Sequence, residues 1–178
     1  DAEEGIVEQD VRIAGLVHEG GRAGIWVVNK WDALDKDDRT LGKFVETIRD
    51  KARFHDYAPI EFVSALTGQR VQKLLPLAAK VFDRASARIG TSELNEVLIK
   101  AFQRHQPPSH QGKPAKLFYA TQVRVRPPSF VMFLDHPEAL DLSYQRFLEN
   151  RLREAFEFEG VPLRLRLRKR KKKGDEAE

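Results

Sequence analysis

Two short apolar runs, residues 23–28 and 59–63, each lie between amphipathic stretches of helical period, and this alternation constrains the first half of the chain most. The order reads helix, strand, helix, strand, helix. Val11, Ile13, Ala14, Leu16 and Val17 give the first helix its spacing, and Gly20-Gly21 ends it. Leu41, Phe44, Val45, Ile48 and Ala52 share one face of the second. Leu74, Leu75, Ala78, Val81, Phe82 and Ala85 keep phase in the third, with Pro76 kinking it or splitting off its first turn. Such alternation means crossover units on a parallel α/β sheet. Two strands are too few for a parallel sheet covered on both faces, so residues 1–90 read as a piece of a larger domain.

Both apolar runs stop abruptly at polar signatures. The first ends in Asn29-Lys30-Trp31-Asp32, and the second in Ser64-Ala65-Leu66. A carboxylate placed like Asp32 can accept from guanine N1–H and its exocyclic amine together, as a charge-assisted bidentate pair. Adenine lacks that pair of donors and would leave the carboxylate unpaired. In this reading Asn29 braces the loops, the stem of Lys30 lies over the purine, and Asp32 takes N1 and N2. The turn at Ser64, Ala65 and Leu66 presents a backbone N–H to O6, while Ser64 orients Asp32. The competing reading is a pair of strand-to-turn junctions in which Asn and Asp act only as turn residues. The position of the first signature at the end of a buried parallel-type strand, where open α/β sheets bind ligands, favours the guanine site.

After a boundary near Gly90 the pattern changes. Leu94, Val97, Leu98, Ala101 and Phe102 mark a helix, and a polar, Pro-rich loop follows over 106–114. Residues 116–126 and 130–134 read as strands about the turn Pro127-Pro128. Tyr144, Phe147, Leu148, Leu152, Ala155 and Phe156 stripe a second helix. In 162–168, Leu163, Leu165 and Leu167 alternate with Arg164, Arg166 and Arg168, the pattern of a half-buried strand. The order α-β-β-α-β predicts an α+β domain with its helices on one face of a small sheet. The aromatic residues Phe118, Tyr119, Phe130, Phe133, Tyr144, Phe147 and Phe156 are expected in its core.

Charge divides the halves. Residues 1–90 carry 14 Lys/Arg against 15 Asp/Glu, and residues 91–178 carry 17 against 12. Arg164, Arg166, Arg168, Lys169, Arg170, Lys171, Lys172 and Lys173 concentrate the excess and suit a polyanion, RNA above all, by phosphate neutralisation. The alternative is a solvated strand with a solubilising tail. No cysteine is present, which fits a reducing cytoplasm and excludes thiolate zinc sites. No apolar run approaches the length of a membrane span, and no signal-peptide pattern opens the chain, so a cytoplasmic protein without a membrane partner is expected. The five histidines form no metal-ligand spacing, and no catalytic triad or paired carboxylate stands out.

With these motifs the chain resembles the Der (EngA) family, bacterial GTPases with two tandem G domains and a C-terminal KH-like domain. Asn29-Lys30-Trp31-Asp32 is similar to the fourth GTPase signature, Ser64-Ala65-Leu66 to the fifth, and Asp1-Ala2-Glu3-Glu4-Gly5 to the segment after the fourth strand. The likeness extends through Thr91-Ser92-Glu93-Leu94-Asn95, Pro127-Pro128-Ser129-Phe130-Val131, residues 144–153 and Phe158-Glu159-Gly160-Val161-Pro162. Asp135-His136-Pro137 departs from it, since an Asn is expected after that strand. The resemblance implies an incomplete P-loop-GTPase-type parallel sheet (1–90), a KH-like α-β-β-α-β domain (91–170) and a charged, disordered tail (171–178). It implies GTP or GDP as ligand, Mg2+ in the longer parent protein, and partners in ribosomal RNA, the large ribosomal subunit and the remainder of the G domain.

The sequence contains no GxxxxGK[ST] phosphate loop and no Asp-x-x-Gly segment, the groups that hold phosphates, metal and attacking water. This chain alone is therefore expected to bind guanine nucleotide weakly at most and not to hydrolyse GTP. A KH domain grips nucleotides with a GxxG loop, and none lies in 91–173. Two other readings stand beside this one: a non-enzymatic RNA- or ribosome-binding module, and an Era-like GTPase with a true KH domain, against which the missing GxxG argues.

Overall fold

The computed structural model describes residues 1–110 and 112–170. Its described residues divide into two compact units, one of 1–85 with 159–162 and one of 86–158 with 163–170. The fold is mixed α/β, with five helices and small parallel and mixed sheets among the described residues.

In the first unit α1 (Glu8–Glu19) precedes β1 (Trp26–Val28), α2 (Thr40–Lys51), β2 (Ile60–Phe62) and α3 (Leu74–Ser86). The Asp10 carboxylate accepts from Val7 N–H at 3.0 Å and satisfies one of the donors that a helix start leaves open. Pro76 lies in the first turn of α3, where its missing N–H costs no helical bond, and a single 3-10 turn (Val71–Lys73) precedes it. β1 and β2 pair in parallel, Trp26 with Ile60 and Val28 with Phe62. Ala2, Val28, Trp31, Ile48 and Phe62 form the core, flanked by Trp26, Phe44 and Val45. The stripes predicted for α1 and α3 are only partly buried: Ala14, Val81 and Ala85 are covered, while Ile13, Leu16, Leu75 and Phe82 are exposed. The short segment 159–162 joins this unit through Gly160, whose N–H donates to Tyr57 O at 2.8 Å and whose carbonyl accepts from Gly24 N–H at 2.9 Å.

The second unit contains α4 (Thr91–Arg104), the two-residue strands β3 (Ser109–His110) and β4 (Lys113–Pro114), β5 (Leu117–Arg124), β6 (Ser129–Leu134), α5 (Leu142–Ala155) and β7 (Arg164–Lys169). The Pro-rich stretch expected as loop thus holds the small antiparallel β3–β4 pair. β5 pairs antiparallel with β6, and β7 parallel with β6, in the order β5-β6-β7. Phe130, Met132 and Leu134 point to one face, and they are buried along with Leu94, Leu98, Leu148 and Leu152 of α4 and α5. Each such side chain contributes about 1.5–3 kcal/mol of burial. Asn95 on α4 ties this layer to edge strand β5: its amide donates to Ala120 O at 2.8 Å and accepts from Ala120 N–H at 2.7 Å. A side-chain amide thereby takes the place of a neighbouring strand.

Candidate functional site

Because β1 and β2 run parallel, the loops that follow them leave the same end of the pair. Val63 N–H donates to Val28 O at 2.9 Å, and Trp31 N–H donates to Val63 O at 3.0 Å. The side-chain oxygen of Asn29 then accepts from Ala65 N–H at 3.0 Å. Lys30 takes a left-handed conformation, φ 58° and ψ 33°, and starts a single 3-10 turn at Trp31–Ala33. That reversal sends neighbouring side chains opposite ways. Trp31 is 5% exposed and packs on Phe62 at 4.5 Å and Phe44 at 5.4 Å, while Asp32 faces solvent. Trp31 is therefore a core anchor of the loop, its ring withdrawn into the interior and away from any ligand at Asp32.

The Asp32 carboxyl lies below the ordinary aspartate range, chiefly through a hydrogen bond from Ser64, with the Lys36 charge a smaller influence. Ser64 is fully buried, and its hydroxyl oxygen also accepts from Thr67 N–H at 3.0 Å. A hydroxyl has one proton and two acceptor sites, so donating to Asp32 and accepting from Thr67 are compatible. Leu66 is 89% exposed, so its side chain packs on nothing in this corner and the turn offers its backbone. The Lys30 amino group pairs with Asp1 at 2.5 Å and Glu3 at 3.5 Å. Ala2 N–H donates to Asn29 O at 2.8 Å. These acidic partners of Lys30 lie 27 or more residues away and follow no local pattern, which is why sequence reasoning missed them.

The basic strand presents a second candidate surface. Arg164, Arg166 and Arg168 are exposed and stand in register with Ser129, Val131 and Phe133 of β6. Those residues in turn oppose Arg124, Thr121 and Tyr119 of β5. Successive strand residues alternate faces, so these rows form the sheet face opposite the α4–α5 layer. Leu165 and Leu167 belong to the helix side, and Lys169, opposite Leu134, shares their parity rather than that of the arginines. The Arg170 guanidinium lies 4.6 Å from the Phe118 ring. Lys171, Lys172 and Lys173, and the tail 171–178, lie outside the described residues. The core expected for the aromatics holds for Phe130 and Tyr144. It fails for Tyr119, which is 44% exposed, and for Phe118, which is 36% exposed. A bulge between Leu117 and Tyr119 interrupts the alternation of faces at this end of β5.

Among the described residues no group of three or more His, Asp or Glu could hold a metal ion, and no helix is long and apolar enough to cross a membrane.

Residues 88–168 match the family model described as the KH-domain-like domain of EngA bacterial GTPase enzymes, C-terminal. Over 165 residues, 93% of this chain, it is 54% identical to the GTPase Der of Geobacillus thermodenitrificans strain NG80-2 and covers 38% of that protein. Identity to GTPase Der of Listeria monocytogenes serotype 4a is also 54%, and to that of Halalkalibacterium halodurans 52%, with the same coverage. The chain thus spans about 38% of the length of the curated relatives it matches.

Proposed function

This chain is a counterpart of the C-terminal part of Der (EngA) proteins, with their KH-like domain at 88–168, and on that premise we propose that it supplies base recognition to a GTP-binding protein of ribosome assembly. Residues 1–90 form the late part of a G domain, and residues 91–170 form a KH-like domain that contacts RNA of the large ribosomal subunit. Asp32 accepts from guanine N1 and N2, Ser64 holds the carboxylate in place, and the turn at Ala65 and Leu66 offers backbone N–H to O6. Lys30 flanks the purine, and Asn29 fixes one loop against the other. The observation that carries this reading is the bond between Asn29 and Ala65, which locks both signature loops together beside an exposed, readily ionised Asp32.

Phosphate binding, magnesium and hydrolysis belong to motifs that this sequence does not contain, so GTP turnover is a property of the longer protein. The exposed apolar side chains of Ile13, Leu16, Val27 and Phe82 suit packing against the rest of a G domain. The reading places the protein in the cytoplasm, where ribosomes assemble.

The test is a nucleotide competition in the longer protein bearing Asp32→Asn. An amide in place of the carboxylate loses an acceptor for guanine and gains a donor that suits the 2-oxo group of xanthine. Preference should move from GTP toward XTP. An unchanged preference for GTP would remove Asp32 from the site, and turnover of GTP by the 178-residue chain alone would overturn the division of labour.

A further inference from the structure

We propose that the β5–β6–β7 sheet face opposite α4 and α5, at the end where Tyr119 is exposed, is a base-stacking platform for single-stranded RNA. Tyr119 and Phe133 are its stacking pair, and Arg164, Arg166 and Arg168 contact the phosphates. The inference rests on the reading of the C-terminal half as RNA-contacting, and it specifies the surface and the form of RNA.

Three observations carry it. The Tyr119 and Phe133 rings lie stacked, with centroids 4.4 Å apart and planes 17° apart. β5 is the edge strand of its sheet, so no further strand covers the far side of Tyr119, and that residue stays 44% exposed. A nucleobase can extend this stack, because every base has a π face.

The charge is the second observation. Arg168 stands in register with Phe133, and Arg166 and Arg164 follow along the same face of β7. Residues two apart on a strand are separated by about 6.6 Å, a regular row of cations beside the aromatic pair. Arg124 opposes Ser129 on the far strand, the three rows contain no carboxylate, and the nearest acidic influence is Glu149 of α5 on Arg164, at the end of β7 away from Tyr119. Guanidinium groups pair with phosphate oxygens in a planar, bidentate manner.

Third, the neighbouring contact between Arg170 and the Phe118 ring brings a cation and an exposed aromatic together at the same end of β5. Sheet faces with exposed aromatics are an established way to read unpaired bases, and this way needs no GxxG loop. In a duplex the bases are already stacked on one another and cannot reach Tyr119. An acidic polypeptide would satisfy the arginines, but it offers no planar base to stack on Tyr119.

Fluorescence anisotropy of the 178-residue protein against a labelled single-stranded RNA of about 12 nucleotides tests this, with the same RNA annealed to its complement and a polyglutamate peptide as competitors. The single strand should bind more tightly than the duplex. Tyr119→Ala should weaken it about tenfold at every salt concentration, and Tyr119→Phe should restore it. Arg168→Ala should reduce the slope of log affinity against log salt by about 0.7. Circular dichroism confirms that each variant is folded. RNA binding that favours duplex, or that ignores Tyr119→Ala, overturns the platform while leaving RNA contact by this half standing. Failure of the unaltered protein to bind any RNA removes both. Displacement of bound RNA by polyglutamate that depends on Tyr119 would assign the face to a protein and overturn the proposal.

Discussion

The Asn29 side chain accepts from the Ala65 backbone N–H at 3.0 Å, a contact between residues 36 positions apart that joins the loops after β1 and β2. The bond acts beside the backbone link from Trp31 N–H to Val63 O and the hold of Ala2 N–H on Asn29 O, so it is one restraint of several. Asn29→Ala leaves the Ala65 amide to solvent. The expected cost is about 1 kcal/mol of stability, as for an ordinary hydrogen bond. Amide hydrogen exchange at Ala65 should quicken by about tenfold, while exchange at Ala120, in the other unit, stays unchanged.

Ser64 and Asp32 give a prediction in pH. The folded pKa of Asp32 is lowered, so its ionised form is the favoured one in the native state. Its contribution is present above the ordinary aspartate value and disappears as pH falls through the lowered one. Ser64→Ala removes the principal cause of the lowering. The Asp32 carboxyl followed by NMR should then titrate at higher pH than in the unaltered protein. A midpoint that does not move would show that Ser64 is not what holds it.

Tyr144 works in the opposite direction. Burial pushes its hydroxyl pKa up to about 12, and that hydroxyl donates to His105 O at 2.6 Å. The raised value favours the neutral form in the folded state. Its contribution is complete below the unfolded tyrosine pKa of about 10 and is lost as pH rises through about 12. Tyr144→Phe keeps the packing on Phe102 and Phe147 but leaves the carbonyl of His105 unpaired. We expect a loss of about 1 kcal/mol at neutral pH and a shallower decline at alkaline pH in denaturation curves.

Gly160 has φ +79°, and a Cβ there would lie 2.8 Å from Val81 Cγ2 and 3.3 Å from Gly24 O. Gly160→Ala should cost at least about 2 kcal/mol, from left-handed backbone and overlap together. Adding Val81→Ala should relieve the overlap but not the backbone term, so the double variant should recover part of the loss relative to Val81→Ala alone. A chain cut after residue 90 would lack this glycine and leave Gly24 N–H and Tyr57 O without their bonds, and we expect it to melt at lower temperature.

The fold was legible where residues repeat with a clear period. Leu94, Leu98, Leu148 and Leu152 sit at helical spacing and are buried, and the Leu–Arg alternation of β7 follows the pleat. Pro76 marks the start of α3 through its missing donor. The β3–β4 pair was illegible because two-residue strands carry no period. Phe118 and Tyr119 misled because a large aromatic side chain does not by itself tell which face of a strand it occupies, and the bulge beside them leaves no mark in the residue pattern. Asn95 and Gln122 gave no sign of their roles. Gln122 accepts from Ile89 N–H at 2.8 Å and donates to Ala87 O at 3.0 Å, tertiary contacts between segments more than 30 residues apart. At the candidate site the loop ends could be placed from sequence, but the inward turn of Trp31 depends on the left-handed backbone at Lys30 and on its ring contacts with Phe44 and Phe62.

The burial of Trp31 has a practical side. Trp26 and Trp31 are the chain's two tryptophans, and both lie in the first unit, whereas the second has only phenylalanine and tyrosine as aromatic chromophores besides histidine. Red-edge excitation therefore illuminates one half of the molecule and leaves the other dark. Intrinsic emission will register events at the loop carrying Asp32, one peptide bond from an indole, and will be blind to melting of the KH-like half except through quenching. The chain comes with its own built-in, half-selective optical probe.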